Sequence, residues 1–417
     1  MIPADLVVTD LAEAVTLADG PVPRRGAEMS ELGRIPDAAL AVADGRFAWV
    51  GPERALARSV RLRAGGRRLS GAGGTLVPGF VDPHSHVLFA GDRSFEVPLK
   101  CRGVSYPEIA RRGGGLFATV RATRAASDRT LLAETSARLR RMAATGSTAV
   151  EVKSGYALSH AGELRLLGLV PALARRTGMR LVPTFLGAHA VPLEFRGRAD
   201  AYVDLLVRRT LPAVAARGLA RFCDVFCEPG FFSVRQSERI LRTGLALGLG
   251  AKIHAEEFVL SGGARLAARL RATSADHLLA ATSADAARPA AAKVTAVLLP
   301  ATAFSSSPKR RSPGREMVDA GVPVAIGSDL SPNVWIEAMP TVGALAVHGA
   351  RLTPAEALTA ATVNAAHAVG LRDRGTIAVG RPADFAILPL RSADRFGYRF
   401  DAFPTAVYRQ GKPVSPP

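Results

Sequence analysis

Hydrophobic and polar positions divide the chain into two similar terminal regions and a long middle region of a different kind. Near the amino terminus, LVVTD is followed by ALAVADGRFAWVG, in which apolar runs flank Asp44-Gly45, a dipeptide typical of β-hairpins. Near the carboxyl terminus, GTIAVGRPADFAILPL and TAVYRQGKPV carry turn residues at Gly380-Arg381-Pro382 and Gln410-Gly411. Both ends therefore predict β-strands, and we expect the two ends to pair with each other.

The middle region alternates short apolar runs with longer helical segments, a pattern typical of parallel strands joined by helices. Helical segments such as TLLAETSARLRRMAATG and ELRLLGLVPALARRTG close on a glycine, which suits the end of a helix. Strands are predicted at eight places: 80–86, 148–153, 180–188, 222–228, 251–256, 273–277, 294–299 and 322–329. Eight strands and their helices in about 250 residues predict an α/β fold of the (β/α)8 TIM-barrel type.

Polar side chains lie at the same end of several predicted strands. The first strand finishes with His84 and His86, the fifth carries His254, the sixth His277 and the eighth Asp329. Because the carboxyl ends of the strands form the active site of such barrels, we expect these residues to converge. Residues two apart in a strand face the same side, so one metal ion can bind both histidines of the first strand. With one histidine from strand five and the aspartate, they form a mixed nitrogen and oxygen ligand set that suits catalytic Zn²⁺ or Fe²⁺.

Each of these residues also has a structural interpretation. A single histidine in an apolar strand is usually a hydrogen-bonded core residue, but several at matching strand ends favour a metal site. His160, His348 and His367 lie in or beside predicted helices, and we expect them to be structural. Lys153, at the end of the second strand, could bridge two metals as a carbamate. Its position and the Ser-Gly-Tyr that follows favour a structural or substrate-facing role.

Composition narrows the possible functions. The chain has 417 residues, and its apolar runs are shorter than the roughly 18 residues that a membrane span needs. The amino terminus carries no secretory signal pattern, so we expect a cytoplasmic protein without membrane association. Three cysteines, Cys101, Cys223 and Cys227, do not suggest a disulfide framework.

The net charge of +18 raises the possibility of a nucleic-acid partner. Basic residues comprise 48 arginines and six lysines, and the densest cluster, Lys309-Arg310-Arg311 with Arg315, lacks interleaved aromatic residues. We therefore expect a solvated surface and no nucleic-acid binding. A basic nucleic-acid-binding protein on an inactive barrel remains the alternative, which metal analysis would separate from an enzyme.

On these residues the chain resembles the metal-dependent amidohydrolases and, more closely, the imidazolonepropionase family. The wider resemblance rests on His84-x-His86, His254, His277 and Asp329 in this order. The closer one rests on longer segments spread over the barrel: KCRGVSYPEIARRGGGLFATVRATRAAS, EVKSGYAL, TFLGAHAVP, DVFCEPGFFS, KIHAEEF and SADHL. It implies a barrel domain at 76–374 and a composite β-sandwich domain from 1–75 with 375–417. A homodimer is also implied.

The resemblance further implies hydrolysis of 4-imidazolone-5-propanoate, a small anionic substrate, to N-formimino-L-glutamate with one Zn²⁺ or Fe²⁺/Fe³⁺ per chain. The roles it implies are three. The metal ligands are His84, His86, His254 and Asp329. The substrate-facing residues are Arg93, Tyr156, His189 and Glu257. The catalytic residues are His277, Asp329 and Glu257, with Glu257 placed to protonate a leaving ring nitrogen and Arg93 suited to clamp a carboxylate.

The segment after Asp329 departs from the family pattern. The family usually reads Asn-Pro-Gly-Thr after one intervening residue, whereas this chain reads Leu-Ser-Pro-Asn-Val at 330–334. Ser331 or Asn333 is expected to replace the missing side-chain contacts to the substrate. This departure bears on the identity of the substrate rather than on the reaction type, and a deaminase acting on another heterocycle is the nearest alternative.

Overall fold

The computed structural model describes residues 1–104, 106–306 and 310–415. Ser105 of the first family-like segment and Lys309 of the basic cluster lie outside the described residues. Within those ranges, no helix is both long and apolar enough to cross a membrane.

Strands from both ends of the chain form one mixed sheet. Its members in the described residues are β1 (Ile2–Val15), β2 (Arg34–Ala43), β3 (Arg46–Pro52), β4 (Val60–Pro78), β13 (Phe385–Leu388), β14 (Ala406–Arg409) and β15 (Lys412–Pro413). The spatial order is β15-β14-β13-β4-β1-β2-β3, with β1 and β4 parallel and the other neighbours antiparallel. Leu76 of β4 pairs with Ile387 of β13, so the expected pairing of the two ends is confirmed.

The middle of the chain forms a parallel barrel. The strands found in its described part are β5 (Phe80–Asp82), β6 (Ser147–Lys153), β7 (Arg180–Ala188), β8 (Phe222–Cys227), β9 (Gly250–Ala255), β10 (Ser274–His277), β11 (Thr295–Leu298) and β12 (Val324–Ile326). They are hydrogen-bonded in sequence order. Beyond the last strand, Asp329 N donates to His84 O at 2.9 Å and His86 N donates to Leu330 O at 2.9 Å, which closes the barrel. The (β/α)8 fold class with a terminal β domain is confirmed.

The first and last barrel strands are shorter than the sequence predicts. The Asp82 carboxylate accepts the backbone N–H groups of His84, at 3.3 Å, and of Ser328, at 3.0 Å. Side-chain acceptors compete with strand pairing, so this carboxylate ends both ladders and turns the following residues into the mouth.

One short helix, α1, packs against the terminal sheet, and the other helices accompany the barrel strands. The described helices are α1 (Leu56–Ser59), α2 (Val97–Cys101), α3 (Tyr106–Arg111), α4 (Leu116–Ala125), α5 (Asp128–Ala144), α6 (His160–Thr177), α7 (Ala199–Leu205), α8 (Leu211–Ala216), α9 (Val234–Ala246), α10 (Gly263–Leu270), α11 (Ser283–Ala292), α12 (Pro300–Ser306), α13 (Gly314–Asp319), α14 (Met339–Gly349), α15 (Pro354–Ala361) and α16 (Val363–Ala368). A π-helical turn, Leu206–Thr210, joins α7 to α8.

Layers of side chains fill the barrel from the amino-terminal to the carboxyl-terminal end of its strands. The lowest layer is apolar and packs Val81, Phe222, Val297 and Ala325 against α16. A layer of buried charged side chains lies above it, and the histidines lie at the mouth. The terminal sheet continues to Pro78 just before the barrel begins at Phe80, and the domain limits 1–75, 76–374 and 375–417 stay a prediction.

Candidate active site

Four predicted metal ligands converge at the mouth of the barrel. The Nε2 atoms of His86 and His254 lie 3.3 Å apart. Asp329 Oδ1 lies 3.4 Å from Nε2 of His84 and 3.4 Å from Nε2 of His86. All four residues are buried, and burial lowers the pKa of both His84 and His86 well below the usual imidazole value. These imidazoles are therefore neutral at pH 7, the form that binds metal.

Two of these histidines are oriented by buried carboxylates. His84 Nδ1 donates to Asp276 Oδ2 at 2.6 Å, and His254 Nδ1 donates to Asp224 Oδ1 at 3.1 Å. With Nδ1 committed to a carboxylate, each ring directs the lone pair of Nε2 toward the cluster. Carboxylate partners of this kind fix the tautomer and orientation of metal-binding histidines.

The donor atoms fit a metal ion. Among the described residues, His84 Nε2 is a buried atom without a hydrogen-bond partner, although a histidine nitrogen would normally be satisfied. Nε2 lone pairs and a carboxylate oxygen that face each other repel unless a proton or a cation lies between them. One ligand atom each from His84, His86 and Asp329 falls within 4.8 Å of the others, and the same holds for His84, His254 and His277. Imidazole nitrogens with a carboxylate oxygen suit zinc or iron.

Lys153 lies beneath the cluster and does not line the cavity above it. Its Nζ lies 2.7 Å from Asp224 Oδ2 and 2.9 Å from Glu151 Oε2. Burial alone would lower the pKa of Lys153, but the neighbouring carboxylates raise it above its ordinary value. A carbamate requires a neutral amine and would place another negative charge beside these acids. The geometry therefore favours a structural role, one of the two roles expected from the sequence, over a carbamate bridge or a substrate-facing position.

His277 and Glu257 lie beside the predicted ligands. The rings of His277 and His254 are 5.2 Å apart, and His277 Nε2 lies 3.5 Å from Glu257 Oε2. Burial, with Asp329 and Glu228 nearby, raises the pKa of Glu257 well above the ordinary carboxyl value. A protonated Glu257 can donate a hydrogen bond or a proton to a group held in front of it.

Unusual backbone conformations occur at the same strand ends. His277 has φ of 73° and Asp329 has φ of 53°, both in the left-handed region that non-glycine residues rarely adopt. Such conformations persist where the surrounding structure enforces them, and they cluster at functional sites. Asp329 is held in addition by Thr302 Oγ1, which donates to its Oδ2 at 2.6 Å.

A cavity of about 600 Å³ opens above the cluster. His86, His254, His277 and Asp329 lie at its floor, while the remaining predicted site residues also line it: Arg93, Tyr156, His189, Glu257, Ser331 and Asn333. His189 Nδ1 donates to Gly155 O at 3.1 Å, and burial lowers the pKa of His189 to about 3. The structure thus brings every residue of the predicted site except His84 to the lining of one cavity, and His84 lies behind that lining with its Nε2 3.4 Å from Asp329 Oδ1. The catalytic and binding roles of these residues stay a prediction.

Arg93 is held by a carboxylate of the protein itself. Its Nε and Nη2 donate to Glu96 at 2.7 and 2.8 Å. Glu96 Oε1 also accepts Gly115 N at 2.7 Å, and a Cβ on the adjacent Gly114 would lie 2.8 Å from that oxygen. The three glycines at 113–115 therefore let the loop close on Glu96, and Glu96 fixes the direction of the Arg93 guanidinium.

The altered segment after Asp329 meets a second cation. Asn333 Oδ1 accepts from Lys100 Nζ at 2.7 Å and from Arg93 Nη2 at 3.4 Å. Lys100 lines the cavity as well. Ser331 Oγ instead accepts the backbone N–H of Val334 at 3.3 Å and so shapes the turn.

Buried carboxylates also hold the loops that carry Tyr156 and Glu257. Glu163 accepts backbone N–H groups of Gly155, Ala157 and Leu158 at 2.7 to 3.0 Å. Glu228 Oε1 accepts those of Glu257 and Phe258 at 2.6 and 3.2 Å. Several charge-assisted bonds to one carboxylate keep these loops in place.

The chain matches known proteins over nearly its whole length. Residues 255–415 match the family model described as the amidohydrolase family. An imidazolonepropionase of Symbiobacterium thermophilum is 50% identical over 391 residues, which cover 93% of this chain and 92% of that protein. An imidazolonepropionase of Syntrophobacter fumaroxidans is 43% identical over 402 residues and covers 96% and 95%. The chain belongs to the imidazolonepropionase family. It is a hydrolase of the metal-dependent amidohydrolase type, as the sequence predicts.

The solved structures confirm the fold of this imidazolonepropionase-family hydrolase. An adenosine deaminase from Xanthomonas campestris with bound zinc is similar with a TM-score of 0.67 and 21% identity, covering 99% of this chain and 93% of that one. This likeness concerns the fold alone.

Sequence reasoning missed several residues of this imidazolonepropionase-family site. Asp224 and Asp276 lie inside barrel strands rather than at their ends, so the search for polar strand ends passed over them. Lys252 was missed too, although it lies, like Lys153, in a buried strand of the barrel. Charged residues within a buried strand were the available signal. Lys100 and Glu96 gave no comparable signal, because they act through loop contacts.

Proposed function

We propose that the protein hydrolyses the cyclic amide of 4-imidazolone-5-propanoate to N-formimino-L-glutamate in histidine degradation. One observation carries this proposal: a single cavity joins the histidine and aspartate cluster at its floor to the Arg93 and Lys100 cations on its wall. A substrate with a reactive ring and a carboxylate tail matches both ends. A neutral nucleobase would bring no negative charge to the cationic end, where Glu96 pairs with Arg93 and Lys100 adds a second positive charge.

The metal ligands in this proposal are His84, His86, His254 and Asp329, and they hold one Zn²⁺ or Fe²⁺/Fe³⁺ per chain. A bound ion supplies Lewis acidity, which makes water a competent nucleophile near neutral pH. The protein contributes the ring orientations set by Asp224 and Asp276 and a buried, preorganised surrounding.

Ring opening needs two proton movements. Water adds its oxygen to the carbonyl carbon, the carbon–nitrogen bond breaks and the leaving ring nitrogen gains a proton. Asp329 is placed to take the proton of water, because its Oδ1 faces the cluster while Thr302 holds its Oδ2. Glu257, whose pKa is raised, is placed to hold the proton for the nitrogen, and His277 stabilises the developing charge on oxygen.

The anionic tail is bound at the other end of the cavity. Arg93 forms the carboxylate clamp, in the direction fixed by Glu96. Tyr156 and His189 face the ring of the substrate, and the centroids of their own aromatic rings are 5.3 Å apart. Asn333 replaces the contacts of the usual family segment through its bond to Lys100, and Ser331 supports it by shaping the turn.

The setting proposed with this reaction is a cytoplasmic homodimer that acts on a small anionic molecule, without nucleic-acid binding or membrane association. The net charge of +18 then serves solubility.

The experiment is a turnover assay on 4-imidazolone-5-propanoate with metal quantified in the same purified sample. We expect N-formimino-L-glutamate to form without ammonia, with about one metal ion per chain. The matched control is His84→Ala, which should lose both metal and turnover. Stoichiometric ammonia released from another heterocycle would contradict the proposal and favour a deaminase. Absence of bound metal in active protein would contradict the ligand set.

A further inference from the structure

Five charged side chains form a layer inside the barrel directly beneath the histidine cluster. Glu151, Lys153, Asp224, Lys252 and Asp276 have no solvent-exposed surface. Removing charges from water costs several kcal/mol per ion, so such a group persists only when its members are closely paired. The chemistry proposed above does not use the two lysines or Glu151, and this leaves their presence to be explained.

The layer is connected from one side of the barrel to the other. Lys153 Nζ lies 2.7 Å from Asp224 and 2.9 Å from Glu151. Glu151 in turn lies 3.0 Å from Lys252 Nζ, which also donates to Pro83 O at 2.8 Å. Both ammonium groups lie 3.7 Å from Asp276 Oδ2. Glu151 therefore bridges the lysines, and the lysines link the two aspartates.

Each aspartate of the layer contacts one histidine of the histidine cluster. Asp224 accepts from His254 Nδ1 at 3.1 Å, and Asp276 accepts from His84 Nδ1 at 2.6 Å. A shift of either carboxylate would turn its imidazole and move Nε2 away from the other donor atoms. The position of the two rings thus depends on what holds the two aspartates.

We propose that Glu151, Lys153 and Lys252 are positioning residues that, through Asp224 and Asp276, fix the orientation and tautomer of His254 and His84 for one metal ion. The layer also explains why one ion suffices. His84, Glu151 and Asp276 could themselves surround a cation. Their carboxylates are instead paired with ammonium groups, so the lysines take the place that a second cation would need.

Both lysines lie equally far from Asp276, but their shortest contacts differ and predict that each acts most directly on a different histidine. Lys153 contacts the Asp224 carboxylate that holds His254, whereas Lys252 contacts Glu151 and the Pro83 carbonyl next to His84. Methionine keeps much of the length of lysine and removes its charge. Lys153→Met should therefore disturb His254 first, and Lys252→Met should disturb His84 first.

The test uses metal-free full-length protein with ¹⁵N-labelled histidine. Long-range ¹H–¹⁵N spectra report the tautomer of each ring, and competition with a chelator reports zinc affinity. We expect each lysine variant to change the signal of its own histidine and to weaken zinc binding about 10- to 100-fold, the range for outer partners of metal ligands. Lys412→Met, at an exposed position of β15, is the matched control and should match the wild type in both measurements.

Unchanged zinc affinity and unchanged imidazole signals in both lysine variants would overturn the proposal. If a lysine variant does not fold, Asp224→Asn and Asp276→Asn keep the side-chain volume and give the same two readouts. Wild-type zinc affinity in folded forms of both asparagine variants would equally overturn it. The inference rests on the metal site of the proposed function but needs no substrate. Wild-type protein that binds zinc yet leaves the imidazolone intact would contradict only the proposed function.

Discussion

The side chains beneath the histidine cluster and those above it are organised in opposite ways. Beneath it, Asp224 and Lys252 come from the interiors of strands and Lys153 is the last residue of β6; all three are completely buried in ion pairs. Above it, Arg93 and Asn333 come from loops and meet through contacts at the edge of the cavity. The strand pleat thus determines the lower layer, whereas loop conformation determines the rim. We infer that the strands hold the proposed metal ligands in a fixed geometry, whereas changes in the loops of the rim can alter which substrate is bound.

The largest effect is expected from removing a ligand. His84→Ala deletes one nitrogen of the cluster and leaves Asp276 without its imidazole partner. We expect loss of bound metal and a fall in kcat/KM of at least about 1,000-fold, because the nucleophile would no longer be activated. Metal analysis by mass spectrometry with steady-state kinetics checks this. His348→Ala is the control, since His348 is exposed and does not line the cavity; its ring donates to Gly397 O at 3.1 Å and stacks on Phe400. Full metal content in the first variant would refute the ligand assignment.

A smaller effect is expected at the rim. Arg93→Met should keep the metal and raise KM about 10- to 100-fold, the cost of a lost bond between a cation and a carboxylate. The measurement is a kcat and KM determination on the imidazolone.

The same variant also leaves Glu96 buried without its partner, so a second variant separates the two effects. In Arg93→Met with Glu96→Gln, the charge balance is restored while the clamp stays absent. We expect KM to remain high in the double variant. A return to the wild-type KM would mean that Arg93 serves only to neutralise Glu96.

A few-fold effect is expected from the altered loop segment. Asn333→Ala removes the acceptor that lies 2.7 Å from Lys100 Nζ. Because one hydrogen bond is lost, we expect KM to rise roughly 2- to 10-fold while kcat and metal content stay unchanged. If instead metal content falls with KM unchanged, the cavity rim and the histidine cluster are not independent. The division between a rim that binds substrate and a cluster that binds metal would then be wrong.

The last prediction concerns the reactivity of the three cysteines, which compares a loop region at the cavity rim with the buried barrel wall. Cys101 is exposed at the end of α2 beside the rim, while Cys223 and Cys227 are buried in β8. Burial raises the pKa of the Cys227 thiol to about 11 and raises that of Cys223 as well. With a thiol reagent at pH 8 we expect one cysteine to react in the native protein and three after denaturation. A second thiol that reacts as fast as the first would show that the barrel wall opens readily.

The same contrast explains how much the sequence could predict. His84, His86, His254, His277 and Asp329 were predictable because barrel geometry converts a place in a strand into a place in space. Asp224 and Asp276 follow the same geometry, but a search limited to strand ends does not reach them. They are recognisable afterwards as charges within buried strands.

The contacts of the rim could not be predicted in the same way. Lys100 and Asn333 are 233 residues apart, and their contact depends on two loop conformations that carry no periodicity. The Arg93–Glu96 pair was available in the sequence as residues three apart, yet nothing there indicated that Glu96 would also hold Gly115. The first and last barrel strands were longer in the prediction because a pattern cannot reveal that the Asp82 carboxylate replaces ladder bonds at their ends.

The most direct test of the proposed ligand set is a crystal structure of zinc-loaded protein with anomalous diffraction recorded at the zinc edge. We expect one peak per chain, about 2.0 to 2.2 Å from Nε2 of His84, His86 and His254 and from an Asp329 oxygen. A peak that excludes His254 or Asp329, or a second peak at Glu151 and Asp276, would contradict it.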